Sequence, residues 1–277
     1  MRTFIPLQPP TLQQEWSDPN YRYREYAPGD SLKPYVACYW TVDFRASGSS
    51  RLHRIIPDGC VDIIFDLRSP SFAKGGFVAG LMTGFEAMNL SGEHSLFGIR
   101  FHSDTVRRFI SYPVSEFTGT GHHVYLEHIW GNHALMLTEQ IMASNGTAEI
   151  IEQVEDALLQ RLIRSESDTD DLLFTSMQYI YASQGLISIR SLAEHLNYSE
   201  RNIRRTFQRE LGAGPKEFAG IVRFQYLLQE LYRGSQARLT DLAAKYGYYD
   251  QPHFIHHFKR YYGLSPNQVF KASTEMK

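Results

Sequence analysis

Through the first hundred residues, apolar positions either alternate with polar ones or form short runs. The runs are rich in β-branched and aromatic residues and are separated by Gly, Pro, Ser or Asp, which is the pattern of β-strands. They are residues 21–26, 36–44, 51–56, 60–67, 75–80 and 95–101. Short strands at such regular spacing predict a small β-barrel or sandwich.

From about Thr105 the apolar spacing changes to that of helices, which we expect over 133–143 and 147–165. One apolar stripe of the second helix consists of Ile151, Val154, Leu158 and Leu162. The stripe is wide enough either to pack on the chain's own strands or to pair with a second copy in a homodimer. The polar and acidic segment that follows, 165–171, has no apolar period, and we take it as the domain boundary.

Beyond this boundary the pattern is helical throughout and contains an internal repeat. Residues 192–215, LAEHLNYSERNIRRTFQRELGAGP, align with residues 242–266, LAAKYGYYDQPHFIHHFKRYYGLSP. After one extra residue in the second copy, Phe207 matches Phe258. Each copy has the pattern of a short helix, a tight turn and a longer helix that ends at a glycine. The repeat therefore predicts two helix-turn-helix units joined by a helix over 215–232.

The turn of each unit, near Asn197 and Gly247, needs residues that tolerate a left-handed backbone. In the first unit, Ile203 and Phe207 are spaced to pack the longer helix through one face. The opposite face is polar and carries Glu200, Arg201, Asn202, Arg204, Arg205 and Gln208. Arg reads guanine edges bidentately, and Asn and Gln suit adenine, so this helix has the face of a recognition helix.

Charge is divided unevenly along the chain. Residues 1–184 hold 14 Lys and Arg against 22 Asp and Glu, a balance of −8. Residues 185–277 hold 14 against 8, a balance of +6. A basic part joined to an acidic part agrees with a nucleic-acid-binding domain attached to a regulatory one.

The segments SLAEHLNYSERNIRRTFQRELGAGPKEF and DLAAKYGYYDQPHFIHHFKRYYGLSP resemble the DNA-binding domain of the AraC/XylS family, over about residues 170–272. The resemblance implies two recognition helices in successive major grooves of double-stranded DNA. The family's base-contacting positions fall on Arg201, Arg204 and Arg205 in the first unit and on Gln251, His253 and His256 in the second. His256 stands where the family often has Arg. For His253, capping or packing of the helix is an equal alternative.

The first half of the chain more loosely resembles, through RIIPDGCVDIIFDL and SLFGIRF, the N-terminal domain of one subgroup of these regulators. The resemblance implies a cupin-like β domain that senses a small-molecule effector or forms dimers. Our candidate ligand-binding residues there are Asp58, Cys60, Asp62, Arg100 and Trp40.

Each of these candidates also has a plainer interpretation. Pro57-Asp58-Gly59 is a tight turn, and Asp62 either meets a ligand or Arg100 or lies on the outer face of a hairpin. Cys60 is either a sensor thiol activated by a cation or a buried inert thiol. Trp40 belongs to a set of strand aromatics that suit a pocket or a core.

Other chemistry finds no support in the sequence. The spacing of His122, His123, His128 and His133 does not suit metal ligation, and we expect no metal and no cofactor. Phosphate-binding loops and nucleophile elbows are missing, so we expect no enzyme. With two cysteines, no apolar run long enough for a membrane and no signal peptide, we expect a cytoplasmic protein.

We therefore predict an α+β multidomain protein. Residues 1–165 form a small β-barrel or cupin-like domain with trailing helices, and residues 170–277 form an all-α domain with two helix-turn-helix units. The predicted function is transcription regulation under a small-molecule effector. One alternative is a constitutive adaptor whose first half contacts a protein such as RNA polymerase. A second is a metal-dependent cupin enzyme with a DNA-binding tail, which would need His and carboxylate ligands on strands.

Overall fold

The alternating pattern of the first half forms an antiparallel sheet. The computed structural model describes residues 4–8, 20–45, 51–90, 92–118, 124–164, 171–233 and 238–270. The strands are β1 Tyr21–Tyr26, β2 Val36–Phe44, β3 Arg51–Ile55, β4 Cys60–Asp66, β5 Gly76–Ala79, β6 Glu86–Leu90, β7 His94–His102 and β8 Val124–Tyr125. Six form one sheet in the order β1-β2-β7-β4-β5-β8, and β3 pairs with β6 in a second sheet. All six predicted strands are present, whereas β6 and β8 were not expected.

Helices make up the rest of the chain, as the change of apolar spacing predicted. They are α1 Phe72–Gly75, α2 Glu127–Trp130, α3 Asn132–Ala143, α4 Thr147–Arg164, α5 Asp171–Ala182, α6 Ile189–Leu196, α7 Glu200–Leu211, α8 Pro215–Tyr232, α9 Leu239–Lys245, α10 Gln251–Tyr262 and α11 Pro266–Phe270. Short 3-10 turns occupy Val106–Arg108 and Val114–Phe117. The fold class is thus α+β, with an antiparallel sheet in the N-terminal part and a helical C-terminal part. Of the predicted boundary 165–171, only Asp171 lies within the described residues.

The central strands of the main sheet are buried on both faces. Because successive side chains alternate, Tyr39 and Ile99 point to one face, where helix α4 packs through Val154 and Leu158. The other face carries a smaller apolar cluster of Tyr21, Cys38, Trp40, Val42 and Phe44. This second face also holds the polar candidates of the first half.

The apolar stripe of α4 packs on its own chain. Val154 and Leu158 are fully buried, and Ile151 and Leu162 lie against the same core. The stripe therefore follows the first of the two interpretations, and its side chains are already covered within one molecule. Ile163, at the end of the helix, is 85% exposed.

Helix α8 connects the two helix-turn-helix units and is buried along most of its length. Phe218 joins the core that contains Ile203 and Phe207 of the first unit. Phe224 joins a separate core with Phe254 and Phe258 of the second. One helix thus fixes the hydrophobic cores of both units.

Candidate nucleic-acid interface

The first helix-turn-helix unit consists of α6 and α7. Helix α6 begins after Ser188, whose Oγ accepts a hydrogen bond from the backbone N–H of Ser191 at 3.0 Å. It ends at Asn197, which has the left-handed φ of 55°. Helix α7 begins after Ser199, whose Oγ accepts from the N–H of Asn202 at 3.2 Å. The left-handed turn predicted near Asn197 is confirmed, and each helix begins with a serine cap.

The second unit, α9 and α10, repeats this arrangement. Gly247 in its turn has a φ of 67°. Asp250 caps α10 by accepting a hydrogen bond from the N–H of His253 at 2.8 Å. Helices α7 and α10 both end at a left-handed glycine, Gly212 with a φ of 70° and Gly263 with a φ of 80°. The internal repeat of the sequence is therefore a structural repeat.

Helix α7 separates its apolar and polar residues as predicted. Ile203 and Phe207 are fully buried. The exposed residues include Arg201, Arg204, Arg205 and Gln208, and Asn202 is half-buried. Several of these side chains are held at the surface by neighbours on the helix: Arg204 pairs with Glu200 at 2.6 Å, and Arg205 donates to the Asn202 amide oxygen at 3.1 Å. Arg201, Asn202, Arg204, Arg205 and Gln208 thus lie along one helix, as the sequence predicted.

Helix α10 presents Gln251, His253 and His256 as exposed side chains. The ring of His253 also lies 5.5 Å from that of Tyr248, and its Nδ1 is 3.5 Å from the backbone N of Tyr249. His253 therefore packs at the start of the helix while remaining exposed, so that both of its expected roles stay compatible with the structure.

The neighbouring His257 faces inward instead. Its Nδ1 is 3.2 Å from the Tyr248 hydroxyl, and its ring meets that of Tyr261 at 4.6 Å. Burial, followed by the charge of Arg223, lowers the pKa of His257 to about 4. It is therefore neutral near pH 7 and supports the fold of the second unit rather than its charge.

One exposed aromatic beside α10 escaped the sequence analysis. Tyr249 is 94% exposed and precedes the capping residue Asp250. It is the one extra residue of the second repeat, since Tyr248 aligns with Tyr198 while Asp250 occupies the capping position of Ser199. The insertion was the sequence signal for this exposed residue, because a residue added between the turn and the helix is displaced toward the solvent.

The five candidate ligand-binding residues of the first half meet in one buried network. Arg100 on β7 pairs through Nε with Asp58 at 3.0 Å and with Asp62 at 3.4 Å. The Trp40 indole N–H donates to Asp62 at 3.2 Å. Strand register explains these contacts, because Arg100 lies opposite both Asp62 on β4 and Cys38 on β2. Glu25, a residue not predicted, pairs with Arg100 from β1 at 3.4 Å.

Burial controls the protonation of this network. It raises the pKa of Asp62 to about 6, although the guanidinium of Arg100 opposes the shift. It also raises the pKa of the Cys60 thiol well above its usual value, and Asp58 adds to this effect. Because the thiolate is the reactive form, the structure favours the inert interpretation of Cys60 over the sensor thiol.

Hydrogen bonds lead from this network to helix α8. Asp58 accepts from the side chain of Gln8 at 3.1 Å. The adjacent Leu7 donates its backbone N–H to the side-chain oxygen of Gln225 at 2.8 Å. Gln225, fully buried in α8, in turn donates to the carbonyl oxygens of Leu7 at 3.2 Å and Pro57 at 2.8 Å.

The first half also contacts the C-terminal end of each longer helix. Ser115 and Thr118 donate hydroxyl hydrogen bonds to the carbonyl oxygens of Arg209 and Leu211 at 2.6 and 2.7 Å. At the second unit, the N–H of Phe85 donates to the carbonyl oxygen of Arg260 at 3.2 Å.

Residues of the first half pack closely against both glycine caps. A Cβ at Gly212 would lie 2.9 Å from the Cβ of Thr118, and one at Gly263 would lie 2.7 Å from the Phe85 ring. Each glycine is thus required by close approach as well as by its positive φ.

The described residues hold neither a metal cluster nor a membrane-spanning helix. Within the described ranges, no group of three or more His, Cys, Asp and Glu side chains is arranged to hold a metal ion. His122 and His123 lie outside those ranges. No described helix has both the length and the apolar character needed to span a bilayer.

Two family profiles match the chain. Residues 192–272 match the Helix-turn-helix domain and residues 24–123 match a domain of unknown function, DUF6597. The C-terminal domain is an AraC-type helix-turn-helix domain. Its match to the profile begins within α6 and includes α7, the connecting helix α8 and the second helix-turn-helix unit.

The curated relatives carry names of helix-turn-helix transcription regulators. An HTH-type transcriptional regulator of Haemophilus influenzae is 29% identical over 154 residues, covering 50% of each chain. The transcriptional activator RhaS of Escherichia coli is 25% identical over 111 residues, covering 40% of this chain and 39% of RhaS. The chain spans about half the length of the curated relatives it matches. Among solved structures, ToxT from Vibrio cholerae aligns over 91% of this chain and 98% of its own, at 13% identity and a TM-score of 0.41.

Proposed function

We propose that this protein is a transcription regulator that binds double-stranded DNA through α7 and α10. The observation that carries the proposal is the structural repeat: two capped helices, each with a buried apolar face and an exposed polar one. Arg201, Arg204 and Arg205 supply guanine contacts from the first unit, with Asn202 and Gln208 beside them. Gln251, His253 and His256 supply the contacts of the second unit.

The two units contribute unequally to affinity. The first offers three exposed arginines, whereas the base-contacting positions of the second offer an amide and two imidazoles. Phosphate and guanine recognition both favour Arg. We therefore assign most of the discrimination between DNA sequences to α7 and a weaker base preference to α10.

Control by a small-molecule effector is the second part of the proposal, with residues 1–165 as the sensing domain and residues 170–277 as the DNA-binding domain. The support for it is physical contact. The first half binds α8 through Gln225 and contacts the ends of both α7 and α10. A ligand that shifted the sheet would bias these contacts, and hence the positions of both recognition helices. A homodimer, through a surface other than the covered stripe of α4, and a contact with RNA polymerase are further parts of this proposal.

The first experiment is selection of random duplex DNA by the full-length protein at fixed salt, because phosphate contacts depend on ionic strength. Two enriched motifs about one helical turn apart are expected. A single enriched motif would show that α10 contacts only the sugar-phosphate backbone of the DNA. Failure to enrich any sequence, in the presence and absence of cell extract metabolites, would overturn the proposal.

The selected duplex then tests the residues. Arg204→Ala should weaken specific binding by about 1–3 kcal/mol and relax the preference at one base position. The matched control is Arg190→Ala on α6, which removes the same charge from another exposed ion pair, that with Glu194. If Arg204→Ala lost the same affinity for specific and for random duplexes, Arg204 would contact only phosphate and not a base.

A further inference from the structure

An open cavity lies at one end of the main sheet, away from the Arg100 network. Its volume is about 310 Å³, within the lower range of small-molecule sites. The lining residues come from the start of β1, the end of β2, the segment after β4 and the start of β7. They are Asn20, Arg22, Asp43, Phe44, Arg45, Arg68 and His94.

The lining of this cavity is strongly cationic. It contains three arginines and one carboxylate, Asp43, which accepts a hydrogen bond from the Ser95 hydroxyl at 2.9 Å. Arg68 forms a salt bridge with Glu93, which does not line the cavity. Within the part of the chain that the structure describes, no salt bridge involves Arg22 or Arg45. The carboxylate of the lining, Asp43, lies opposite Arg22 in the β1–β2 register, so the cavity has an excess of guanidinium groups over carboxylates.

One apolar residue, Phe44, belongs to the lining of the cavity. Phe44 is 2% exposed and belongs to the apolar cluster on the second face of the sheet, together with Trp40. The His94 ring lies 6.5 Å from that of Phe44 at an angle of 31°. Arg22 and Asp43 lie opposite each other on neighbouring strands, whereas Phe44 faces the other way, so the charged groups and the covered ring lie on opposite faces of the sheet.

We propose that this cavity binds a small organic anion, a carboxylate or a phosphate ester, through the guanidinium groups of Arg22 and Arg45. Arginine presents planar pairs of N–H donors that match the oxygens of both groups. The inference rests on the proposed function in one respect only: it names the class of the effector and the place where it binds.

The ligand-binding test uses the full-length protein and three probes: inorganic phosphate, succinate and benzoate. Each is titrated by calorimetry and by thermal shift at constant ionic strength, with sodium chloride as the reference. At least one probe is expected to bind saturably and to raise the melting temperature above the chloride reference. The probe that binds most tightly shows whether the cavity prefers a phosphate, a dicarboxylate or an aromatic carboxylate.

Two matched substitutions locate the site. Arg22→Gln should weaken binding of the active probe by about tenfold, since it removes a charge-assisted pair of hydrogen bonds. Arg24→Gln removes the same charge from an exposed position on the same strand that does not line the cavity, and should change the affinity less than about twofold. Both variants must melt at the wild-type temperature without ligand, and Arg45→Gln serves as the second cavity variant.

Three outcomes decide the inference. It is overturned if no probe binds beyond chloride, and also if Arg22→Gln and Arg24→Gln weaken binding equally, which would show general surface charge. Binding that needs Arg22 but leaves DNA affinity unchanged would confirm the anion site while removing effector control from the proposed function.

Discussion

The contact between the two halves of the molecule can be tested at one side chain, Gln225. It lies in α8, is fully buried and makes three hydrogen bonds outside its own helix, all to the backbone of the first half. Replacement by alanine removes all three bonds and leaves one N–H and two carbonyl oxygens without partners.

The expected magnitude follows from these contacts. Each hydrogen bond to a buried neutral group contributes about 0.5–1.5 kcal/mol, and a buried group left unpaired costs more than its lost bond. Three such bonds, together with the space left by the amide, give an expected loss of about 3–5 kcal/mol in the free energy of unfolding for Gln225→Ala. Gln225→Glu should also destabilise at neutral pH, because a carboxylate accepts from Leu7 but donates to neither carbonyl.

The assay is urea denaturation followed by circular dichroism and by tryptophan fluorescence. Gln229→Ala is the matched control, because the same residue type one turn further along α8 makes a single exposed hydrogen bond to the Ile5 carbonyl oxygen. The control should lose less than about 1 kcal/mol. A loss for Gln225→Ala no larger than that of the control would refute the reasoning that this amide holds the two halves together.

Three further predictions concern other parts of the molecule. Gly98→Ala should destabilise the sheet by about 1–3 kcal/mol in urea, because its Cβ would lie 2.0 Å from the indole of Trp40; unchanged stability would contradict this packing. Burial lowers the pKa of His53 to about 4, so the folded state binds fewer protons than the unfolded state and stability rises with pH up to about 6.5. His53→Gln should therefore reduce the gain in unfolding free energy between about pH 5 and pH 7 by about 2 kcal/mol, and parallel wild-type and variant curves would argue against it. Tyr249→Ala should weaken binding to the selected duplex with no change in melting temperature, whereas unchanged anisotropy would place this side chain outside the interface.

The helical part of the fold follows from local signals. Ser188 and Ser199 cap helices, and Asn197 takes the left-handed turn, because the relevant hydrogen bonds are made within a few residues. The buried face of α7 follows equally from its period. Such features depend on neighbouring residues in the chain, so the sequence alone was sufficient to predict them.

The sites of the first half depend on strand order instead. A contact between Arg100 and Asp62 was one of the alternatives open from the sequence, yet the contact of Arg100 with Glu25 requires β1 to lie beside β2 and β2 beside β7. The cavity lined by Arg22 and Arg45 is assembled from four separate segments, none of which carries a motif. Register across non-adjacent strands is set by tertiary packing, which alternation along one strand does not specify.

Contacts from two parts of the molecule hold the two recognition helices in position. Helix α8 fixes their cores through Phe218 and Phe224, and the first half of the chain holds their C-terminal ends through Thr118 and Phe85. Two recognition helices can enter successive grooves only at one separation, so any shift of these outer contacts changes the fit to DNA. Because the first half touches both units, a movement of its sheet under the proposed effector would alter the separation of the helices rather than the chemistry of either one. On this argument an effector would act on affinity for the paired site, while the base preference of each helix stayed the same.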